Sequence, residues 1–126
     1  AAKIPSIPKV AMICPPKSAS ILTGQTLTAG DMDICVRMIS VGQPHRAVPI
    51  TGAICLAVAA RVPDSVAHAA CKNSSGPIRI GHASGTILVD AGVSESADGG
   101  IEAEYGAVYR SARRLFEGRV LFRSSQ

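Results

Sequence analysis

The segment that decides the fold is PITGAICLAVAAR at residues 49–61, which carries no charge before Arg61. A helix that is apolar on every side cannot be a surface helix, so other elements must enclose it. The segment is too short to cross a membrane, which needs about 20 apolar residues. Its many small side chains keep the helix thin, which suits strands that wrap closely around it. The sequence therefore predicts a buried central helix over residues 51–61.

Both ends of this predicted helix are marked in the sequence. Thr51 is the predicted N-cap, because its hydroxyl can accept a hydrogen bond from an amide of the first turn. Arg61 suits the negative end of the helix dipole, and Pro63 disfavours helical geometry in the residue before it. The N–H groups at Thr51, Gly52 and Ala53 predict a binding site for an anion such as a carboxylate. The alternative is a structural core helix with a capped end.

Length and composition indicate one globular domain. The chain has 126 residues, of which 47% are hydrophobic and 17% charged, which excludes a disordered protein. Its net charge of +4 favours an anionic ligand without identifying one. We expect neither nucleic acid nor a membrane as a partner. The basic cluster of Arg110, Arg113 and Arg114 has no aromatic stacking platform around it.

The cysteines predict reduced thiols in a cytoplasmic protein. They are widely spread, form no C-x-x-C pair and follow no hydrophobic signal segment. Together with the three histidines they show no metal-ligand spacing, so the sequence predicts no metal site. The four cysteines are Cys14, Cys35, Cys55 and Cys71.

Strand patterns lie on both sides of the predicted helix, which fits a buried helix with strands packed closely around it. The predicted strands cover residues 9–14, 21–28, 32–41, 78–80, 86–89, 102–116 and 119–122. The alternation in residues 32–41 is imperfect, so a helix from Asp31 is the competing interpretation. We expect a strand or an irregular crossing at residues 65–70 and an exposed loop at residues 90–101.

Two polar loops are candidates for a shared ligand site. Residues 42–48 hold His45 and Arg46 directly before the predicted helix, so these side chains are delivered beside its N-terminus. Residues 81–85, GHASG, join two predicted strands with a backbone that can approach a ligand closely and donate N–H groups. The alternatives are a solvated loop histidine and an ordinary Ser-Gly turn. We predict that both loops meet near the helix N-terminus.

Four motifs occur in a specific order: SVGQPHRA at 40–47, TGAI at 51–54, GHASG at 81–85 and RSARRLFEG at 110–118. Together they resemble the C-terminal half of the family of 2-methylaconitate isomerases and 4-oxalomesaconate tautomerases. The match covers about residues 7–120. The resemblance implies an α+β fold in which a β-barrel-like sheet wraps around a central buried helix. This domain is one half of a two-domain protein with the fold of diaminopimelate epimerase. It places the active site in the cleft between the domains.

The chemistry that this resemblance implies is a cofactor-free shift of a proton and a double bond in small unsaturated di- or tricarboxylates. The residues expected to bind the substrate are Ser40, His45, Arg46, Thr51, Gly52, Ala53, Gly81, His82, Ser84 and Gly85. No catalytic residue is assigned, because Pro49 stands where epimerase relatives carry a catalytic cysteine. The expected partners are therefore the carboxylate substrate and a missing N-terminal domain, with a homodimer left open.

The resemblance and the sequence together predict three parts of the chain. Residues 1–8 read as a linker from the missing N-terminal domain, and residues 9–120 as the C-terminal isomerase domain. Residues 121–126 read as a non-native tail, because LFRS is the translation of a common sequencing adaptor. We expect the isolated chain to be inactive. The alternative function is a non-catalytic carboxylate-binding or structural domain.

Overall fold

A computed structural model describes residues 8–73 and 75–122. The elements follow each other along the chain as β1 (Val10–Cys14), β2 (Ala19–Ser20), β3 (Thr26–Leu27), a 3-10 turn (Ala29–Asp31), β4 (Ile34–Ser40), β5 (Gln43–Pro44), α1 (Ile50–Ala59), α2 (Val66–Ala70), β6 (Ile78–His82), β7 (Gly85–Glu95) and β8 (Ile101–Tyr109).

One mixed sheet forms the body of the domain, in the order β1-β4-β6-β7-β8, with β5 paired to β4 and β2–β3 forming a separate hairpin. All its pairs are antiparallel except β4 and β6, in which Ile34 lies opposite Ile80. Parallel strands need a long crossover, and both helices lie in the connection between β4 and β6. The sheet curls around α1, which packs against β7 and β8. The predicted α+β fold class is confirmed.

The core lies between α1 and the inner face of the sheet. In β4 the buried side chains alternate with partly exposed ones, so Ile34, Val36 and Met38 face inward. This period of two confirms a strand at this position and excludes the competing helix from Asp31. Burying each large apolar side chain stabilises the fold by about 1.5–3 kcal/mol.

The helix α1 begins earlier than predicted, at Ile50, and its N-cap is Pro49, which makes no side-chain capping hydrogen bond. The predicted N-cap at Thr51 is therefore wrong. Pro49 is extended, with φ −62° and ψ 145°, and its carbonyl accepts the hydrogen bond from the Ala53 amide at 2.8 Å. Thr51 lies inside the first turn with an exposed side chain.

The sheet covers only one side of α1. Ala53, Leu56 and Ala57 are buried, whereas Ile50 is 48% exposed and Cys55 is exposed. The expected enclosure of the helix is therefore incomplete within the part of the chain that the structure describes. We expected strands to enclose the helix because it has no polar face. The lack of a polar face does not by itself place a strand on each side of the helix.

Residues 65–70, predicted as a strand or an irregular crossing, form the short helix α2 instead. The reason is local capping by Ser65. Its hydroxyl accepts a hydrogen bond from the His68 amide at 3.0 Å and donates one to the Ala59 carbonyl at 2.7 Å. The same side chain thus starts α2 and ties it to the end of α1.

Three other predicted segments were also wrong in part. Residues 90–95 continue β7 because they pair with the start of β8, so the predicted loop is shorter. Residues 21–25 form a turn in which Gly24 has φ +85°, and only Thr26–Leu27 of that segment is a strand. Residues 110–122 contain no strand. Residues 1–7 of the predicted linker and 123–126 of the predicted tail lie outside the described residues, and the domain boundaries stay predictions.

An ion pair fixes the parallel pairing of β4 and β6. The buried Asp33 carboxylate accepts hydrogen bonds from the Arg79 backbone amide and from Arg79 Nη2, each at 2.8 Å. Arg79 Nη1 also donates to the Gly30 carbonyl at 2.7 Å. The hydrogen bonds from the Arg79 side chain are the main reason why the pKa of Asp33 is lowered. Burial alone would raise this pKa. Asp33 is therefore ionised in the folded chain at neutral pH.

We predict that Asp33→Asn lowers the free energy of unfolding by about 1–3 kcal/mol at pH 7, because it removes charge-assisted hydrogen bonds whose arginine is partly exposed. The lowered pKa means that this stabilisation is present above the unfolded-state pKa of about 3.9 and is lost as pH falls through the folded-state value. Urea unfolding of both proteins between pH 7 and pH 3, roughly spanning that pKa, measures the difference.

The matched control is Asp64→Asn, which changes an exposed carboxylate that forms no ion pair in the described part of the chain. It should leave the free energy of unfolding nearly unchanged. An equal loss in both variants, or a difference that does not shrink at low pH, would contradict the assigned role of Asp33.

Candidate functional site

The loop before α1 and the turn between β6 and β7 are in direct contact. The Ser84 hydroxyl donates a hydrogen bond to the Arg46 carbonyl at 2.5 Å. The His45 amide donates to the Met38 carbonyl at 2.8 Å, which holds the loop against β4. The parallel register places the turn after β6 beside the middle of β4. The loop meets it there because the chain folds back along β4 through β5. The predicted contact between the loop and the turn is confirmed, whereas their convergence on the N-terminus of α1 stays a prediction.

His45 has a buried ring nitrogen with an unused hydrogen-bonding capacity. Its Nε2 atom is inaccessible and has no hydrogen-bond partner within the described residues. A neutral imidazole has one donor and one acceptor nitrogen. Leaving such a group unpaired costs about 1–3 kcal/mol, which a ligand oxygen at this position would recover. His45 is thus the residue of this loop best suited to contact a polar ligand.

His82 is held as a neutral imidazole. The Ser84 amide donates a hydrogen bond to His82 Nδ1 at 3.1 Å, so the proton resides on Nε2. The pKa of His82 is lowered first by burial and then by the positive charges of Arg37 and Arg110. The ring can therefore donate one hydrogen bond through Nε2. The sequence did not indicate that Arg37 belongs to this environment, because Arg37 occupies an ordinary polar position of a predicted strand.

The first turn of α1 presents a different set of amides from the one predicted. Intrahelical bonding begins with the Ala53 amide, which donates to Pro49, so Ala53 does not offer a free N–H and that part of the prediction is wrong. The amides of Ile50, Thr51 and Gly52 precede it and have no intrahelical partner. The shift follows from the helix starting at Ile50.

Two of the predicted ligand-binding glycines have a packing role. A Cβ atom at Gly81 would lie 2.5 Å from Met32 Sδ, and one at Gly52 would lie 2.6 Å from Met38 Cε. Gly85 differs, because its φ of +137° is a conformation that other residues rarely adopt. Substrate binding by these glycines stays a prediction.

The remaining predicted residues differ in exposure. Ser40 is buried at the end of β4, opposite Gln43 of β5. Arg46 and Thr51 are exposed, so both side chains are accessible to a ligand. Pro49 has no side-chain acid or base, so the chain places none at the N-cap of α1. Their roles in substrate binding stay predictions.

Two specific features of the described part of the chain bear on metal binding and membrane insertion: clusters of metal-ligating side chains and membrane-spanning helices. No group of three or more His, Cys, Asp or Glu side chains is placed there to hold a metal ion. None of the helices found in those residues is both long and apolar enough to cross a membrane. The cytoplasmic location stays a prediction.

Comparison with known proteins identifies a family. The model of the family described as PrpF protein matches residues 1–123. A 2-methyl-aconitate isomerase of Shewanella oneidensis is 37% identical over 115 residues, which cover 90% of this chain and 28% of that protein. A 3-methylitaconate isomerase of Eubacterium barkeri is 31% identical over 121 residues, or 94% of this chain and 30% of that protein.

A solved structure shares the fold. The crystal structure of a methylitaconate-delta-isomerase superposes with a TM-score of 0.76 at 28% identity, and the match covers 92% of this chain and 30% of that one. The chain therefore spans less than a third of the length of these relatives.

We predict that His82 titrates below pH 6.5, the ordinary value for histidine, and that Arg37→Gln raises its pKa. The neutral ring stabilises the fold above pH 6.5, and this contribution is lost as pH falls through the lowered pKa. An NMR titration of the imidazole Cε1–H resonance measures both values. Arg113→Gln removes an exposed charge and serves as the control. A pKa at or above 6.5, or an equal rise in the control, would refute this electrostatic environment.

Proposed function

The chain belongs to the PrpF protein family, and we therefore propose that it forms part of the active site of an isomerase acting on small unsaturated carboxylic acids. The observation that carries the proposal is the buried, unpartnered Nε2 atom of His45, which a ligand oxygen reaches once the loop moves to open it. It lies in a loop that the Ser84 hydroxyl ties to the neighbouring turn, directly before the first turn of α1.

The substrate class follows from the relatives and from the chemistry of the site. The names of two relatives refer to methylaconitate and methylitaconate, which are a tricarboxylate and a dicarboxylate. Such substrates carry two or three negative charges at neutral pH and need several anchors. The finer assignment that we propose is a 2-methylaconitate or 4-oxalomesaconate type of substrate.

The described residues offer donors rather than a base. The free amides of the first turn of α1, together with the helix dipole, favour one carboxylate. His45 Nε2 and the Nε2–H group of His82 are further partners for ligand oxygens. Removal of a proton beside a carboxylate places negative charge on its oxygens, and fixed donors stabilise that charge as it develops. The proposed roles of these groups are substrate binding and charge stabilisation.

The catalytic base is proposed to lie outside this chain. Pro49 has no proton to give or take, although it stands where epimerase relatives carry a catalytic cysteine. A base must also reach the substrate proton within hydrogen-bonding distance. Because the chain spans 28–30% of its relatives, a base in the remaining part of the protein accounts for a site made here mainly of donors.

A structural role for the turn is the second candidate function. The hydroxyl and the amide of Ser84 are both bonded within the chain, to Arg46 and His82. A turn whose donors are already used can serve to position the loop without touching a substrate. In that case the chain is a non-catalytic domain, and substitutions in the loop would change stability alone.

We predict that the isolated chain does not isomerise 2-methylaconitate, whereas a chimera does. In the chimera this chain replaces the matching segment of the Shewanella oneidensis relative, which is 37% identical. In the chimera, His45→Ala and Ser84→Ala should each raise KM by about 10-fold, with a smaller fall in kcat, because carboxylate anchors hold ground and transition states similarly. Steady-state kinetics on chimeras whose folding has been checked by circular dichroism gives these values.

His68→Ala is the control, since His68 bonds to the Ala60 carbonyl beyond the C-terminal end of α1. It should leave KM unchanged. Turnover by the isolated chain that His45→Ala abolishes would make His45 the base. A folded chimera whose KM does not respond to His45→Ala would favour the structural role instead.

A further inference from the structure

Three sulfur atoms meet on the face of β4 that points away from α1. Cys14 of β1 lies directly opposite Cys35 of β4 in the antiparallel register. Residues paired in this way have Cβ atoms about 4.5–5.5 Å apart, so both thiols can reach a common point. The third sulfur is Met32 Sδ, which lies 3.1 Å from Cys35 Sγ.

The cluster has one buried side and one open side. Met32 is only 2% exposed, whereas Cys35 is half-buried and Cys14 is exposed. Both cysteines line a cleft of about 390 Å³ that Lys17 and Arg37 also line. An ion can therefore reach both thiols from this cleft, and Met32 borders a second, smaller cavity that Cys35 also lines.

The position of the thioether is built into the packing. Met32 Sδ occupies the space beside Gly81, where any Cβ atom would lie 2.5 Å from it. Gly81 is the pairing partner of Cys35 across the parallel strands β4 and β6. The missing side chain thus admits the methionine sulfur to the position next to the cysteine.

We propose that Cys14, Cys35 and Met32 form a three-sulfur binding site for a soft monovalent metal ion of the Cu(I) type. Thiolate and thioether ligands select Cu(I) over hard cations. When both cysteines bind, the two thiols release their protons to solvent. Two thiolates around one monovalent ion leave a net negative charge, and Lys17 and Arg37 offset it.

Zinc fits this cluster less well. Structural zinc sites have four ligands drawn from Cys, His, Asp and Glu, and no group of even three such side chains is placed for a metal among the residues that the structure describes. The site also does not depend on the proposed isomerase function. Cys35 lies on the opposite face of β4 from Ile34 and Val36, which contact the core around α1.

The test is an anaerobic titration of the reduced 126-residue chain with Cu(I), in competition with the chromophoric chelator bicinchoninate. We expect one tightly bound Cu(I) per chain. Cys14→Ser and Cys35→Ser should each abolish that binding, and Met32→Leu, which preserves side-chain size, should weaken it at least 10-fold. Cys55→Ser is the matched control and should bind as the parent does.

A second measurement keeps the test decisive if a serine variant fails to fold. The parent chain is alkylated with iodoacetamide with and without Cu(I), and each cysteine is followed by mass spectrometry. Protection of Cys14 and Cys35 but not of Cys55 supports the site. Equal protection of Cys55, full binding in Cys14→Ser or Cys35→Ser, or an unchanged affinity in Met32→Leu overturns the three-sulfur site.

Discussion

The parallel pairing of β4 with β6 is the constraint on which the other features depend. Two parallel neighbours cannot be joined by a tight turn, so the chain between them must cross the sheet. That crossover contains α1 and α2, and it places α1 over the inner face of the sheet. The Asp33–Arg79 ion pair holds the start of the pairing, because it joins the residue just before β4 to the second residue of β6. The direction of β6 then brings its following turn beside the loop that leads into α1.

The sequence predicted an element correctly where one local pattern determined its structure. The uncharged run before Arg61 is long enough for a helix and too short for a membrane span, and it is a helix. The alternation in residues 32–41, although imperfect, favoured the strand that the structure shows as β4. Two other elements depended on contacts outside their own segments. The length of β7 follows from pairing with β8, and the helical form of α2 follows from one serine that also bonds to Ala59.

The sequence predicted which segments form the candidate site, but not which of their donor atoms remain available to a ligand. The order of the motifs located the loop and the turn, whose contact through Ser84 is present in the structure. Which donors remain available depends on hydrogen bonds that a sequence does not display. Proline at the N-cap moved the helix start to Ile50, so the Ala53 amide is used internally. The opposition of Cys14 and Cys35 likewise requires the register of two strands that are separated by a hairpin.

The open side of α1 bears directly on how strongly this chain alone could hold a carboxylate. Thr51 and Gly52, whose amides lack intrahelical partners, border a groove of about 470 Å³ between α1 and β1. Water that enters such a groove screens the helix dipole and competes for the same amides. Charge stabilisation during proton transfer is strong only where water is excluded and donors are fixed. The described residues supply fixed donors at the loop, the turn and the helix end, but they leave this flank of the helix open to solvent. An open flank beside the donors agrees with the proposal that this chain forms only part of an active site, as does its span of 28–30% of its relatives.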